Sequence, residues 1–503
     1  MSKKGSKLKK TLDESLEAVM VPEDKQSYEA PDNWVWVKLG KVLKAMETRD
    51  PTKLNSDTFT YIDIESIDNR NQKIESPKEL FIWEAPSRAK RAVNEGDVLI
   101  SLVRPYLKNI AMVETCHNEA VASTGFYVCR TLDLLDSTFL YYFLRTDVMT
   151  SYLISKTKGD NSPSVRSEDF LSGSIPLPPL HEQKRIVERV ESLLEKINEA
   201  KQLINDIPRK VDQLRKSIVM RLCSGDLTVN WRNMNLDRRT ARELLDEINM
   251  NVDVQTKSKK RIRSINDEID VTSLPEIPET WTWERLINIS DIQGGVTKGK
   301  KYGEKTKVSA PYLRVANVQD GFLDLTEIRE IEVLPEEREK YLLKEGDILF
   351  TEGGDRDKLG RGTVWKNEIV NCIHQNHIFR ARCFEGISPE YISIATKTEF
   401  SKTYFFKNAR QTVNLASINL TTLGQIPIPI PPSEEQQEIV NIYSNLTRYL
   451  DEIEQQYLST KKKLELITQS ILSKAFRGEL GTNNPEEESA IEIFKESLAQ
   501  QLN

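Results

Sequence analysis

Between residues 186 and 218, apolar side chains recur at alternating steps of four and three: Ile186, Val190, Leu193, Ile197, Ala200, Ile204, Ile207, Val211, Leu214 and Ile218. That spacing puts them on one narrow stripe of a helix, the a/d seam of a coiled coil. The stripe recurs at Ile439, Tyr443, Leu446, Leu450, Ile453, Tyr457, Thr460, Leu464, Ile467 and Ile471, broken only by Thr460. Each run follows paired prolines, which stop a strand and suit a helix start. Each closes on a glycine suited to a helix end, Gly225 and Gly478. At 1.5 Å per residue, thirty-odd residues predict rods of roughly 50–60 Å. Pro208 removes a backbone donor from the first rod only, where the matching residue of the second is Lys461, and predicts a kink there.

The two runs are copies. Ile175-Pro176-Leu177-Pro178-Pro179 with His181-Glu182-Gln183 matches Ile428-Pro429-Ile430-Pro431-Pro432 with Glu434-Glu435-Gln436, and Gly225-Asp226-Leu227 matches Gly478-Glu479-Leu480, every pair 253 positions apart in a chain of 503. A repeat of that length predicts one architecture built twice. A narrow seam needs a partner helix, and a pseudo-two-fold repeat would lay the two rods antiparallel. The bland alternative is a pair of unrelated dimerisation helices.

The repeat extends ahead of the rods. Pro31-Asp32-Asn33-Trp34-Val35-Trp36 and Pro278-Glu279-Thr280-Trp281-Thr282-Trp283 open two globular regions. Inside them, strand-like runs match: Tyr61-Ile62-Asp63-Ile64 with Tyr312-Leu313-Arg314-Val315, and Gly96-Asp97-Val98-Leu99-Ile100 with Gly346-Asp347-Ile348-Leu349-Phe350. Gly-Asp supplies the turn and the apolar run a half-buried strand. Thr124-Gly125-Phe126 is matched in position with His377-Ile378-Phe379. Between these shared strands the copies diverge, as two binding modules with different targets would.

The fold class expected is therefore α+β: two β-rich domains separated by two long antiparallel coiled-coil helices, in an internal pseudo-two-fold repeat. The boundaries expected are a flexible lead at 1–30, a first domain at 31–179, a long helix at 180–227 and a linker at 228–277. A second domain at 278–432, a second long helix at 433–480 and an acidic tail at 481–503 follow. The linker carries a short helical pattern from Ala241 to Ile248 and a basic cluster, Lys257, Lys259, Lys260, Arg261 and Arg263; the tail carries a similar pattern from Ala490 to Leu498.

Hydrophobic content of 38% and charged content of 29% describe a soluble chain, with no apolar run of membrane-spanning length. Cys116, Cys129, Cys223, Cys372 and Cys383 lack metal-ligand spacing and read as free thiols of a reducing compartment. The net charge of −6 argues against a uniformly basic coat, yet phosphate binding depends on local charge. Catalytic apparatus is not found: Gly294-Gly295-Val296-Thr297-Lys298-Gly299-Lys300-Lys301 lacks the Ser/Thr a phosphate-binding loop uses for magnesium. The four histidines, His117, His181, His374 and His377, are too scattered to argue a triad or a metal cage.

Polar loops suited to base edges are present. The first domain offers Arg104, Tyr106 and Lys108, then Lys156, Lys158, Asn161, Ser162 and Arg166 just before its rod. The second offers Glu352 to Gly362, with Arg356, Lys358 and Arg361, then Gln375, Asn376 and His377, and finally Arg410, Gln411 and Asn414 before its rod, with Lys298 and Arg314 completing the set. Arg and Lys pair with guanine and side-chain amides with adenine; a solvated loop is the plain alternative for any one of them.

These residues resemble a known family. The duplicated proline-rich helix starts, the long helices, the closing Gly-[Asp/Glu]-Leu and the PxxWxW openings are similar to type I restriction–modification specificity subunits over about residues 30–480. The loop Gly353 to Gly362 with Gln375-Asn376-His377 looks like one class of target recognition domain in that family. The resemblance implies two domains that each read half of a split, asymmetric DNA target, with the helices as a ruler between them. It implies two docked modification subunits carrying S-adenosylmethionine and the adenine methylation chemistry, and restriction subunits supplying ATP- and magnesium-dependent translocation and cleavage. This chain would be a noncatalytic, cytoplasmic, prokaryotic DNA-reading core. The alternatives are a type IIB or solitary specificity protein and a coiled-coil scaffold with two protein-binding heads; a nuclease acting alone is the weakest.

Overall fold

The computed structural model describes residues 19–159, 162–235, 239–255, 269–354, 359–411, 416–492 and 494–495. The chain divides into two compact units. One joins the chain up to Asn205 with the segment from Leu458 onward; the other is Asp206–Tyr457. These units cut through the rods, and so do not follow the boundaries expected from the sequence. The principal helices are α1 (Leu180–Asn205), α2 (Ile207–Cys223), α3 (Ala241–Gln255) and α4 (Ser433–Ala475). The first rod is thus two helices. Pro208 lies in the opening turn of α2, where its missing N–H has no intrahelical partner to lose.

In the first unit Val35–Lys38 pairs antiparallel with Ser174–Leu177. Beyond that pair, Val98–Ser101 lies between Phe126–Cys129 and Ile110–Met112, and Thr58–Ile62 lies between Lys78–Phe81 and Val121–Ser123. The second unit repeats the plan. Thr282–Arg285 pairs with Pro427–Ile430, Ile348–Thr351 lies between Ile378–Cys383 and Gly362–Val364, and Val308–Leu313 lies between Arg329–Val333 and Ile373–His374. The repeat reaches the register: Tyr61 faces Val121, and Tyr312 faces Ile373, in a parallel strand pairing of each head. The sequence alignment slips by one residue near Gly125. Phe126 faces Ser101 and Ile378 faces Thr351, so Gly125, not Thr124, is the counterpart of His377; loops of unequal length between the strands change the offset.

Pro176 and Pro429 lie inside strands, opposite Trp36 and Trp283. Two-stranded pairing leaves an edge free, where a residue without N–H is tolerated. Only Pro178-Pro179 and Pro431-Pro432 precede the helices. In each turn Gly96 and Gly346 adopt left-handed backbone (φ 80° and 85°). The following aspartates do more than turn the chain. Buried Asp97 accepts from Arg130 Nε and Nη2 at 2.9 Å each, and buried Asp347 from Arg382 Nε and Nη2 at 2.7 Å each.

Apolar burial concentrates at the rod ends. In the first unit Ile186, Val190 and Ile197 share a core with Phe139, Leu472 and Phe476; in the second, Val219, Leu222 and Cys223 share one with Tyr391, Ile428 and Ile439. Within the second unit Arg215 meets Asp451 and Glu454 while Arg232, further along the chain, meets Glu435, so the helices run in opposite directions there. The expected seam is only partly covered. Leu214, Ile453 and Ile467 are between two-fifths and half exposed.

The described helical parts of the expected linker and tail are docked on the heads. Ala241 N donates to Thr280 O at 2.9 Å, and Ala490 N to Asn33 O at 3.0 Å. Leu244, Leu245 and Ile248 then join the second core, as Phe494 joins the first. The basic cluster 257–263 lies outside the described residues. No helix among the described residues is long and apolar enough to cross a membrane.

Candidate nucleic-acid interface

Each head is fastened to its helix by the duplicated motif. Trp34 Nε1 donates to Glu182 Oε2 at 2.8 Å, and Trp281 Nε1 to Glu435 Oε2 at 2.8 Å. Gln183 accepts from Asp136 N at 2.8 Å and donates to Pro178 O at 2.9 Å; Gln436 accepts from Ser388 N at 2.8 Å and donates to Pro431 O at 3.0 Å. Asp136 and Ser388 are themselves helix caps, so each glutamine sets where a helix of the head begins. His181 is exposed and takes no part in this fastening. Burial pushes the Glu182 carboxyl up, against hydrogen bonds from Trp34 and Asn483 that pull it down.

Beyond this frame each head carries a platform of three backbone segments. In the first, Val103 bridges Ser164, which bridges Lys158, and Arg104 N donates to Pro163 O at 2.8 Å. In the second, Gly353-Gly354 pairs with Ala416-Ser417, which pairs with Arg410-Gln411. Ser164 and Ser417, like Lys158 and Gln411, are again 253 positions apart. The platforms therefore unite loops that are remote in sequence: Arg104 and Tyr106 with Lys158, Ser162 and Arg166 in one head, Arg410 and Gln411 with the segment after Thr351 in the other. Arg104, Tyr106, Lys158, Ser162, Arg166, Arg410 and Gln411 are all exposed. Lys108 is not free to read: it pairs with Asp147 at 2.8 Å. Lys156 is exposed near the Tyr152 ring.

In the second head Glu352 N donates to His377 O at 3.0 Å, and their side chains pair through Nδ1 and Oε2. Gln375 and Asn376 are half-buried in the same turn, where Val296 bridges Gln375. A Cβ on Gly295 would fall 2.0 Å from His374 O, which requires glycine in the loop first compared with a phosphate cradle. Lys298 is exposed at the far end of that loop. Arg314 is a strut, pairing with Glu327 at 3.1 Å. Arg361 is half-buried, its carbonyl accepting from Thr351 N at 3.0 Å. Asn161, Arg356, Lys358 and Asn414 lie outside the described residues. Sequence reasoning missed the pairing of Glu352 with His377 and the role of Ser164 and Ser417; the constant 253-residue offset was the available signal for the serines. Among the described residues no group of three or more His, Cys, Asp or Glu is placed to hold a metal ion.

Comparison with known proteins follows the same duplication. The model of the type I restriction modification DNA specificity domain matches twice, at residues 31–209 and 278–462. The EcoKI specificity subunit of Escherichia coli K12 is 23% identical over 458 residues, 90% of each chain. The crystal structure of the HsdS subunit from Thermoanaerobacter tengcongensis is similar with a TM-score of 0.56 at 27% identity, covering 90% of this chain and 99% of that one. A chain from a structure of type I system assembly and conformational transition gives 0.66 at 27% identity, covering 90% and 100%.

Proposed function

Because the chain belongs to the type I restriction–modification DNA specificity family, we propose that each head reads one half of a split, asymmetric DNA target through its three-segment platform. One observation carries the reading: the same backbone arrangement presents Lys158, Ser162 and Arg166 in one head and Gln411, Arg410 and His377 in the other. Similar frames with different polar side chains suit two half-sites of unequal sequence. In this reading α1 with α2, and α4, form an antiparallel coiled-coil ruler that sets the gap between half-sites. Their exposed apolar side chains, among them Leu203 at 83% and Leu466 at 61%, suit docking of two modification subunits. S-adenosylmethionine, ATP and magnesium then belong to the modification and restriction subunits, and this chain is noncatalytic.

The test is co-expression with modification subunits and sequencing of methylated adenines. A bipartite motif with two unequal halves is expected. Substitution of Arg361 together with Arg356 should relax one half only, and a heptad inserted between Ile186 and Ile218 should change the permitted spacer without changing the bases read. A stable complex that methylates no split motif overturns the proposal.

A further inference from the structure

Glu352 and His377 occupy a junction of the second platform. Glu352 N donates to His377 O at 3.0 Å while Ile418 N donates to Glu352 O at 2.8 Å, so both backbones are fixed. The first head has the same junction: Leu102 N donates to Gly125 O at 3.1 Å, and Val165 N to Leu102 O at 2.8 Å. There the two positions carry a leucine and a glycine. The frame therefore does not need polar side chains at this point, and the Glu352–His377 pair is a private addition of one head. Its imidazole is 52% exposed, and the paired carboxylate faces Nδ1.

Resting on the function proposed above, we infer that His377 is a base-reading residue and Glu352 its positioning residue. In the neutral ring a carboxylate against Nδ1 keeps the proton on that nitrogen and leaves Nε2 as the acceptor. Asn376 Nδ2 is the ring nitrogen's own long partner at 3.5 Å, a contact at the limit of hydrogen-bond length that an incoming amino group would replace. An acceptor at the exposed tip of a reading loop selects a base that offers an amino group in the major groove, adenine through N6 or cytosine through N4. Guanine and thymine present acceptors there and are disfavoured. The second half-site should therefore contain one position restricted to an amino-bearing base, read by a ring whose tautomer the protein has already chosen.

The complex with modification subunits, acting on a library varied at every target position, tests this. His377→Ala and Glu352→Gln should each relax the same single position of one half-site, lowering the preference for its best base by about tenfold. Glu352→Asp, which keeps the carboxylate, should restore part of it. Continued methylation of the other half-site pattern reports that each variant is folded and assembled. A base analogue lacking the exocyclic amino group at that position should weaken the wild type by about tenfold and His377→Ala by less than about twofold. Unchanged preferences in His377→Ala, or a preferred guanine or thymine, overturn the inference while leaving the bipartite reading intact. Loss of any split motif in the wild type overturns the parent reading instead.

Discussion

At the fastening of each head the same glutamate meets different company. Glu182 accepts from Trp34 at 2.8 Å and Asn483 at 3.0 Å, both neutral donors, while its neighbour Arg185 turns to Glu487 at 2.7 Å. Glu435 accepts from Trp281 and is also paired with Arg232, the guanidinium lying against the carboxylate. Both carboxylates are fully buried. The duplicated indole–carboxylate bond thus fixes geometry in both units, whereas the compensation of its charge was solved separately. The platforms teach the same lesson: backbone pairing is common property, and side chains are private.

The largest expected effect breaks the comparison at its charged end. Glu435→Ala should destabilise the second unit by about 3–5 kcal/mol, because Arg232 is left as a partly buried cation without its counter-charge, while the neutral Gly225 O and Thr228 Oγ1 still accept from it. Glu182→Ala strands only neutral donors and should cost the first unit about 1–3 kcal/mol. Denaturant unfolding of the two variants measures both, and equal losses would show that charge compensation is not what separates the units.

Next come the rod ends. Gly225 and Gly478 have φ of 78° and 72°, and a Cβ on them would approach Pro278 Cγ to 2.6 Å and Pro31 Cγ to 2.4 Å. Alanine at either should cost about 2–4 kcal/mol, adding a steric clash to left-handed strain. Gly481, with φ of 71° and nothing within 4 Å of its Cβ position, should cost only about 1–2 kcal/mol. Thermal unfolding of the three variants separates clash from strain.

On DNA, Arg410→Ala and Lys158→Ala should each weaken binding by up to about tenfold, the first acting through one half-site and the second through the other. Competition between duplexes altered in a single half is the measurement; a common half-site would sink the separation of the heads.

The smallest effect is the response to pH. Glu182 is held above the usual carboxylate range by burial, so between its ordinary and raised values the folded unit binds more protons than the unfolded chain. Its contribution therefore favours folding as pH falls through that interval and is lost as pH rises. Glu182→Gln keeps an acceptor for Trp34 without the charge, and should show a flatter dependence on that side in unfolding measured across acidic pH.

Much of this was legible because its signal is local or repeated. The four-three spacing named the helices, Pro208 marked the break between α1 and α2, and the Gly-Asp turns located the central strand of each head. Less legible were interactions whose partners lie far apart. Nothing near Asp97 points to Arg130, and nothing near Gln183 points to the helix cap at Asp136, since side-chain partners chosen across a fold leave no periodicity. Lys108 and Arg314 looked like free cations in polar loops, and only their neighbours Asp147 and Glu327 showed them to be struts. The seam misled in the opposite direction: Leu214 and Ile467 keep the helical spacing, but burial is decided by what comes to cover them.

By itself, then, the order of residues determined that one plan is built twice, with its strands, turns, helices and family. Those follow from short-range sterics and from periodic apolar positions, both written along the chain. Tertiary structure alone decided that Ala241 in the expected linker docks on Thr280 and Ala490 in the expected tail on Asn33. It also decided that Val103, Ser164 and Lys158 form one platform, and that Glu352 faces His377. The physical reason is common to all three: each depends on backbone hydrogen bonds or charges brought within a few ångströms from distant positions, and the gain from such contacts is specified by three-dimensional proximity.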